Sequence, residues 1–261
     1  MKVIESIAEW RELRRTLSGS LGFVPTMGAL HRGHAALLKR SSSENSASVL
    51  SIYLNPTQFN NPADLSAYPK TLRRDLRLAC RMGADYVITP RYAEMYADDF
   101  RYQILEKQFS RELCGAHREG HFTGVLTVVM KLLNLVRPDR AYFGEKDYQQ
   151  YLLIKDMCEA FFLDVDIVPC ETVRETDGLA LSSRNELLDA HGRATAGVLN
   201  QLLRSDLADS AVAGALTTAG FAVDYIVTRD ERRYAAGTLN CERGEVRLID
   251  NVPRSSTSSG A

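Results

Sequence analysis

The stretch Pro25-Thr26-Met27-Gly28-Ala29-Leu30-His31-Arg32-Gly33-His34 decides the fold. The apolar run 21–24 before it predicts a buried strand, and residues 35–41 after it predict a helix. Its two glycines let the main chain approach a ligand closely. The unpaired N–H groups and the dipole of the helix N-terminus, together with two histidines, suit a polyphosphate. The alternative is an ordinary strand–helix turn with two surface histidines.

Strands and helices alternate through the first two thirds of the chain. The predicted strands are 21–24, 49–54, 86–88, 141–143 and 166–169, with a further short strand at 102–105. The predicted helices are 6–17, 35–41, 72–82, 122–136 and 148–161. This alternation predicts an α/β fold, a parallel sheet with helices on both faces.

The pattern changes after about residue 171. Helices are expected at 186–203 and 208–219, and strands at 221–227 and 245–249, in a small α+β region. We therefore predict a domain at 1–171, a smaller domain at 172–254, and a disordered Ser-rich tail at 255–261.

Composition excludes several classes of protein. With a net charge of −1, the chain has no global field for nucleic acid or an anionic membrane. The chain has no apolar stretch of about 18 residues, the length a membrane span needs. The five cysteines are irregularly spaced, which argues against a zinc cage or disulfide framework and favours the reducing cytoplasm.

Polar clusters follow three predicted strands, at 26–34, 55–59 and 144–147. Ligands of parallel α/β sheets bind beyond the carboxyl ends of strands, so these clusters should face one crevice. Lys146 offers a cation for phosphate, and Asp147 a carboxylate for a ribose hydroxyl or Mg²⁺. Gln58 offers a donor and an acceptor to a hydroxy acid. Ser182-Ser183-Arg184 also suits phosphate. Each of these has a structural alternative. Lys146 and Asp147 would be an ordinary helix start, Gln58 a loop amide, and Ser182-Ser183-Arg184 a helix cap.

The segment His117-Arg118-Glu119-Gly120-His121 resembles a zinc motif only superficially. Zincins order these residues as His-Glu-x-x-His on a helix, whereas glycine here precedes the second histidine. We expect no bound metal there, and we expect Arg118 and His121 to contact an anion at the start of a helix.

Six motifs in order resemble the pantothenate synthetase family. They are Met27-Gly28-x-Leu30-His31-x-Gly33-His34, Asn55-Pro56-x-Gln58-Phe59, Tyr68-Pro69-Lys70-Thr71-Leu72, Gly120-His121-Phe122-x-Gly124-Val125, Phe143-Gly144-Glu145-Lys146-Asp147-x-Gln149-Gln150 and Arg174-Glu175-x-Asp177-Gly178-Leu179-Ala180-x-Ser182-Ser183-Arg184-Asn185. The resemblance runs from about residue 3 to 188 and resumes at 247–251.

The resemblance implies a Rossmann-like ATP- and pantoate-binding domain, a C-terminal lid, a cytoplasmic homodimer and Mg-ATP. The implied reaction joins pantoate to β-alanine through a pantoyl adenylate, releasing pyrophosphate and AMP. The implied catalytic residues are His31, His34, Lys146 and Arg184. The other implied ATP contacts are Met27, Gly28, Gly144, Asp147, Val173, Ser182 and Ser183. Gln58, Gln150 and Asn55 are assigned to pantoate and β-alanine, and Arg118 and His121 support them.

Two departures from the family pattern stand out. Glu119 replaces the usual proline before Gly120, and the region between residues 234 and 247 looks shortened. The runner-up function is a nucleotidylyltransferase of the same fold, which would need a basic pocket for an acceptor phosphate. A nucleotide-binding regulatory protein with a decayed site is a third reading, and the complete set of candidate residues argues against it.

Overall fold

A computed structural model describes residues 1–242 and 244–254, which form two compact units. The first comprises Met1–Glu145 and Gln149–Glu171. The second comprises Lys146–Tyr148 and the described residues from Thr172 onward. The predicted tail at 255–261 lies outside the described residues.

The first unit is built on a six-stranded, fully parallel sheet. Its strands are β1 (Lys2–Ile4), β2 (Leu21–Thr26), β3 (Ala47–Ile52), β4 (Tyr86–Ile88), β5 (Arg140–Gly144) and β6 (Asp166–Cys170). Their order is β1-β4-β3-β2-β5-β6. The chain moves outward from β2 to β4 and then returns to the other side of β2, so the strand order reverses between β2 and β5. Ligands of such sheets bind at this reversal.

Helices cover both faces of this sheet. They are α1 (Ile7–Thr16), α2 (Arg32–Glu44), α3 (Pro62–Ala67), α4 (Leu72–Arg81), α5 (Tyr92–Met95), α6 (His121–Val136) and α7 (Tyr148–Ala160). Val24 and Leu50 pack with residues of α2 and α4, and their neighbours Phe23 and Val49 are also fully buried. Because successive side chains of a strand point to opposite faces, both faces are covered. The predicted fold class is confirmed.

The second unit has a three-stranded antiparallel sheet and two helices. The helices are α8 (Ala190–Leu203) and α9 (Asp209–Thr218), and the strands are β7 (Ala222–Arg229), β8 (Arg232–Cys241) and β9 (Gly244–Pro253). Both helices contribute to its core, through residues such as Leu199 and Leu216.

Two local expectations were wrong. The segment 102–105 is not a strand: Tyr102 and Leu105 are exposed, and the Ile104 N–H donates to the side chain of Thr127 rather than to a strand. The helix expected at 186–203 begins at Ala190, because the Asp189 side chain caps it. The apparently shortened region after residue 234 holds β8 and its hairpin connection to β9.

Candidate active site

The loop after β2 is held by a buried aspartate that the sequence motifs did not single out. Asp75 of α4 is 1% exposed, and its two carboxylate oxygens accept hydrogen bonds from the N–H groups of Ala29 and Leu30, each at 2.9 Å. The Thr71 hydroxyl also donates to it, at 3.0 Å. A buried carboxylate with three donors is a strong anchor. It holds Ala29 at a positive φ of 51°, a conformation that costs a non-glycine residue energy.

Main-chain N–H groups determine which nitrogen of each histidine carries the proton. Nδ1 of His31 accepts from the Gly33 N–H at 3.1 Å, and Nδ1 of His34 accepts from the His31 N–H at 3.3 Å. A ring nitrogen that accepts cannot carry a proton, so the neutral form of each ring is protonated at Nε2. The ring centroids lie 4.1 Å apart. In their neutral forms, the two neighbouring rings therefore both carry their proton on Nε2.

This geometry revises the expectation that unpaired main-chain N–H groups form the anion site. The N–H groups of residues 28–31 and 33 all donate to acceptors within the protein. The side chain of His31 caps the helix N-terminus, and Asp75 holds the loop that precedes it. These five amides are therefore occupied by acceptors of the protein itself.

The turn after β3 starts beside this loop, because Thr26 pairs with Ile52 and the Tyr53 N–H donates to the Thr26 carbonyl. Asn55, 1% exposed, bonds through Nδ2 to Oε1 of Gln58 at 3.1 Å and to the Gly124 carbonyl at 3.2 Å. The hydroxyl of Tyr96 donates to its Oδ1 at 2.9 Å. Asn55 is therefore a buried support for Gln58.

Arg118 and His121 hold the main chain of the same glutamine. Nδ1 of His121 lies 2.9 Å from the Gln58 carbonyl oxygen, which can only accept, so this nitrogen is protonated. Nη1 of Arg118 lies 3.0 Å from His121 Nε2 and donates to it. The structure thus places both residues against Gln58, and a proline before Gly120 is not needed for this contact.

Gln149 and Gln150, adjacent at the start of α7, have different environments. Gln149 is buried, and its amide bonds to the Cys114 N–H and to the carbonyls of Phe109 and Glu112. Gln150 is half-buried. Gly144 ends β5, and a Cβ at this position would meet no atom within 4 Å among the described residues. Gly144 therefore lies beside open space.

In the second unit, a hairpin joins Val173 to the serine–arginine cluster. The Leu181 N–H donates to the Val173 carbonyl at 3.0 Å, so Val173 lies beside the residue preceding Ser182. Oγ of Ser182 accepts from the Arg184 N–H at 3.2 Å and caps the short helix Ser183–Leu187. Ser182 is thus a helix cap, which was its structural alternative. Its hydroxyl proton can still be donated to a ligand.

Two residues of β9 make hydrogen bonds to Lys146 and to the hairpin that carries Val173. Asn251 donates through Nδ2 to the Lys146 carbonyl at 2.9 Å. Asp250, 4% exposed, pairs with Arg174 of the hairpin through two hydrogen bonds of 2.7 and 2.9 Å. The resemblance at residues 247–251 was the only sequence signal for them, and it carried no assigned role.

Lys146 and Asp147 lie together at the end of the loop after β5. Nζ of Lys146 is 3.7 Å from an oxygen of Asp147, with side-chain exposures of 18% and 46%. No group of three or more His, Cys, Asp or Glu side chains in the described part of the chain could hold a metal ion. Among residues 1–242 and 244–254, no helix has the length and apolar character needed to cross a membrane.

Comparison with known proteins identifies relatives over nearly the full length of the chain. A family model described as pantoate-beta-alanine ligase matches residues 2–253. A pantothenate synthetase of Bdellovibrio bacteriovorus is 51% identical over 251 residues, which cover 96% of this chain and 98% of the relative. A pantothenate synthetase of Legionella pneumophila is 47% identical over 253 residues, covering 96% and 99%.

Solved structures agree as well. The pantoate-beta-alanine ligase of Francisella tularensis, complexed with beta-gamma ATP and beta-alanine, superposes with a TM-score of 0.92 at 38% identity and 97% coverage of both chains. The pantothenate synthetase of Thermus thermophilus gives a TM-score of 0.87 at 38% identity, covering 97% of this chain and 99% of that one. Sequence and fold agree over nearly the whole length, and the chain belongs to the pantoate-beta-alanine ligase family.

Proposed function

We propose that the chain condenses pantoate and β-alanine into pantothenate at the expense of ATP, using the residues described above. The observation that carries the assignment of residues is the pair of Nε2–H donors at the strand-order reversal. A buried, supported glutamine follows the neighbouring strand. The histidine pair suits a triphosphate, and the glutamine suits a small polar acid.

In the first step, a carboxylate oxygen of pantoate attacks the α-phosphorus, and the bond to the bridging oxygen of pyrophosphate breaks. Negative charge grows on the leaving oxygens. His31, His34 and Lys146 act there, with Arg184, Ser182 and Ser183 as further phosphate contacts. Because these donors are fixed before the reaction, they stabilise the transition state more than bound ATP.

In the second step, the β-alanine amine attacks the acyl carbon of the adenylate, the carbon–oxygen bond to AMP breaks, and the nitrogen loses a proton. Gln58 and Gln150 hold the pantoyl group, while Gly144, Asp147 and Val173 hold the nucleoside. No step needs a covalent bond to the enzyme, so positioning and charge stabilisation supply the rate enhancement.

Mg²⁺ enters with ATP in this proposal. The ion usually keeps several waters and takes its remaining ligands from phosphates and one or two carboxylates, so the missing cluster of protein ligands in the described part of the chain is compatible with it. Asp147, which is partly exposed, is the carboxylate in place to assist. The ion supplies charge neutralisation on the phosphates.

A cytoplasmic homodimer without a nucleic-acid partner completes the proposal. The dimer is inferred from the family resemblance. The location is supported by the cysteines, none of which forms a disulfide although all five lie in the described residues. The net charge of −1 provides no attraction for nucleic acid.

Isotope exchange between pyrophosphate and ATP tests the proposed reaction. Exchange should require pantoate and Mg²⁺ but not β-alanine, and AMP should accumulate only when β-alanine is added. Exchange without pantoate would contradict the proposed order of steps.

Variants of His34 and Lys146 test the assigned roles. His34→Ala and Lys146→Ala should each lose about 100- to 1,000-fold in adenylate formation, the usual loss for one well-placed donor. Both should use pre-made pantoyl adenylate with a much smaller loss, because no pyrophosphate charge develops. The exposed His191→Ala and Lys155→Ala are the matched controls. An equal loss with the pre-made adenylate would reassign the residue to amide formation.

A further inference from the structure

We propose that Tyr96 and Thr57 are positioning residues that, through Asn55, hold the side chain of Gln58 as a hydrogen-bond donor towards pantoate. This inference rests on the proposed function, in which Gln58 binds the hydroxy acid. It changes the expected role of Gln58, since a donor and an acceptor were both anticipated there from the sequence.

The direction of the Asn55 amide is fixed by a group that can only accept. The Gly124 carbonyl oxygen lies 3.2 Å from one end of this amide, so that end must be the NH₂ group. Two hydroxyl groups meet the other end, from Tyr96 at 2.9 Å and Thr57 at 3.0 Å, and both donate to its oxygen. Reversing the amide would put the Asn55 oxygen against the Gly124 carbonyl oxygen, two acceptors without a proton between them.

The fixed amide of Asn55 then sets the direction of Gln58. The second N–H of Asn55 Nδ2 points to Gln58 at 3.1 Å, so the atom it meets must be the oxygen Oε1. Gln58 Nε2 is left without a protein hydrogen-bond partner among the described residues and is not enclosed there. The main chain of Gln58 is held separately by His121. Its NH₂ group is the part available to a substrate oxygen.

Tyr96 is suited to act as a permanent donor in this series of hydrogen bonds, which runs from its hydroxyl through Asn55 to Gln58. Its ring is buried and contacts the rings of Tyr92 and Phe100, at centroid distances of 5.2 and 5.3 Å. The ammonium group of Lys131 lies 4.7 Å from the ring centroid. Burial raises the pKa of Tyr96 to about 12, so its hydroxyl keeps its proton at every pH at which the enzyme would be assayed.

The test compares steady-state KM values for pantoate and ATP in variants of the chain. Tyr96→Phe keeps the ring and removes one donor, and its pantoate KM should rise about fivefold, the effect of one neutral hydrogen bond. Tyr96→Phe/Thr57→Val removes both donors and should give a larger rise. The control Tyr92→Phe removes a neighbouring, partly exposed hydroxyl outside the chain of hydrogen bonds and should leave both KM values unchanged.

Asn55→Asp is the sharper variant, because a carboxylate can only accept. Gln58 would turn its NH₂ group towards Asp and present Oε1 to the substrate, an acceptor facing an acid. The pantoate KM should then rise at least about 100-fold while the ATP KM stays within about twofold. If this variant does not fold, Tyr96→Phe decides.

The outcomes separate this inference from the proposed function. Pantoate-dependent formation of AMP by the wild-type protein tests the function and does not depend on the variants. A selective rise in pantoate KM that is larger in the double variant supports the positioning role. Tyr96→Phe behaving like Tyr92→Phe would overturn it, as would equal rises in the KM values for pantoate and ATP, because a merely structural role would disturb both.

Discussion

Replacing Asp75 by asparagine should loosen the loop after β2 and slow adenylate formation. The carboxylate accepts from two main-chain N–H groups and one hydroxyl. An asparagine oxygen can take the place of only one carboxylate oxygen, so its NH₂ group must face the N–H of Ala29 or Leu30. These residues are 1% and 3% exposed, and water does not replace the lost acceptor.

The expected cost follows from these contacts. A hydrogen bond to a charged acceptor contributes about 1.5–3 kcal/mol, and a buried N–H left without an acceptor adds to the loss. We therefore expect the free energy of unfolding to fall by about 3 kcal/mol. In a protein of this size such a loss lowers Tm by about 6–12 °C. A displacement of the histidine rings by about 1 Å would cost about 100-fold in rate.

The assay combines thermal unfolding with pyrophosphate–ATP exchange. The matched control is Asp139→Asn, since Asp139 accepts from the Leu21 N–H at the opposite end of the same strand and is exposed. The control should lower Tm only slightly and leave exchange unchanged. Normal exchange in Asp75→Asn, even with a lowered Tm, would show that the loop keeps its catalytic geometry without this carboxylate.

Three further predictions concern other contacts. In Gly124→Ala, the new Cβ would overlap a carbonyl oxygen of the turn after β3, so the protein should lose several kcal/mol of stability, measured by chemical denaturation. Asn251→Ala removes the bond to the Lys146 carbonyl and should raise the KM for ATP about fivefold with the pantoate KM unchanged. The hydrogen bond from Lys131 lowers the pKa of Asp98 from 3.8 to about 2, so it stabilises the fold above pH 4 and is lost as the pH falls to 2. The difference in Tm between wild type and Asp98→Asn should shrink over that range.

Local signals were sufficient to predict most helices and five of the six strands of the parallel sheet, whereas the short β1 was not predicted. Ser6 accepts from the Glu9 N–H and caps α1, and Gly83 follows α4 with a positive φ of 84°. The strand β8 was missed because its centre, Ala235-Ala236-Gly237, has weak strand propensity and becomes ordered by pairing on both sides. Residues 102–105 do not form a strand, because they pair with no strand among the described residues.

The candidate site was predictable where chemistry lies within a motif and unpredictable where it depends on distant contacts. The histidines and Gln58 stand in short motifs beside strand ends. Asp75 contacts residues 45 and 46 positions earlier, and in sequence it is one polar residue of an amphipathic helix. The support that Asn251 gives to Lys146 spans 105 positions. Such pairs are set by tertiary structure and leave no local periodicity.

The assignment of Lys146–Tyr148 to the second unit limits how the gene can be divided. Their flanking residues belong to the first unit, while Asn251 binds the Lys146 carbonyl and the guanidinium of Arg232 lies 3.7 Å from the centroid of the Tyr148 ring. A fragment ending at residue 171 would carry the lysine without the residues that hold it. A fragment beginning at residue 172 would carry Asn251 and Arg232 without the residues that they contact, Lys146 and Tyr148. Domain exchange between relatives should therefore transfer residues 146–148 together with the C-terminal unit.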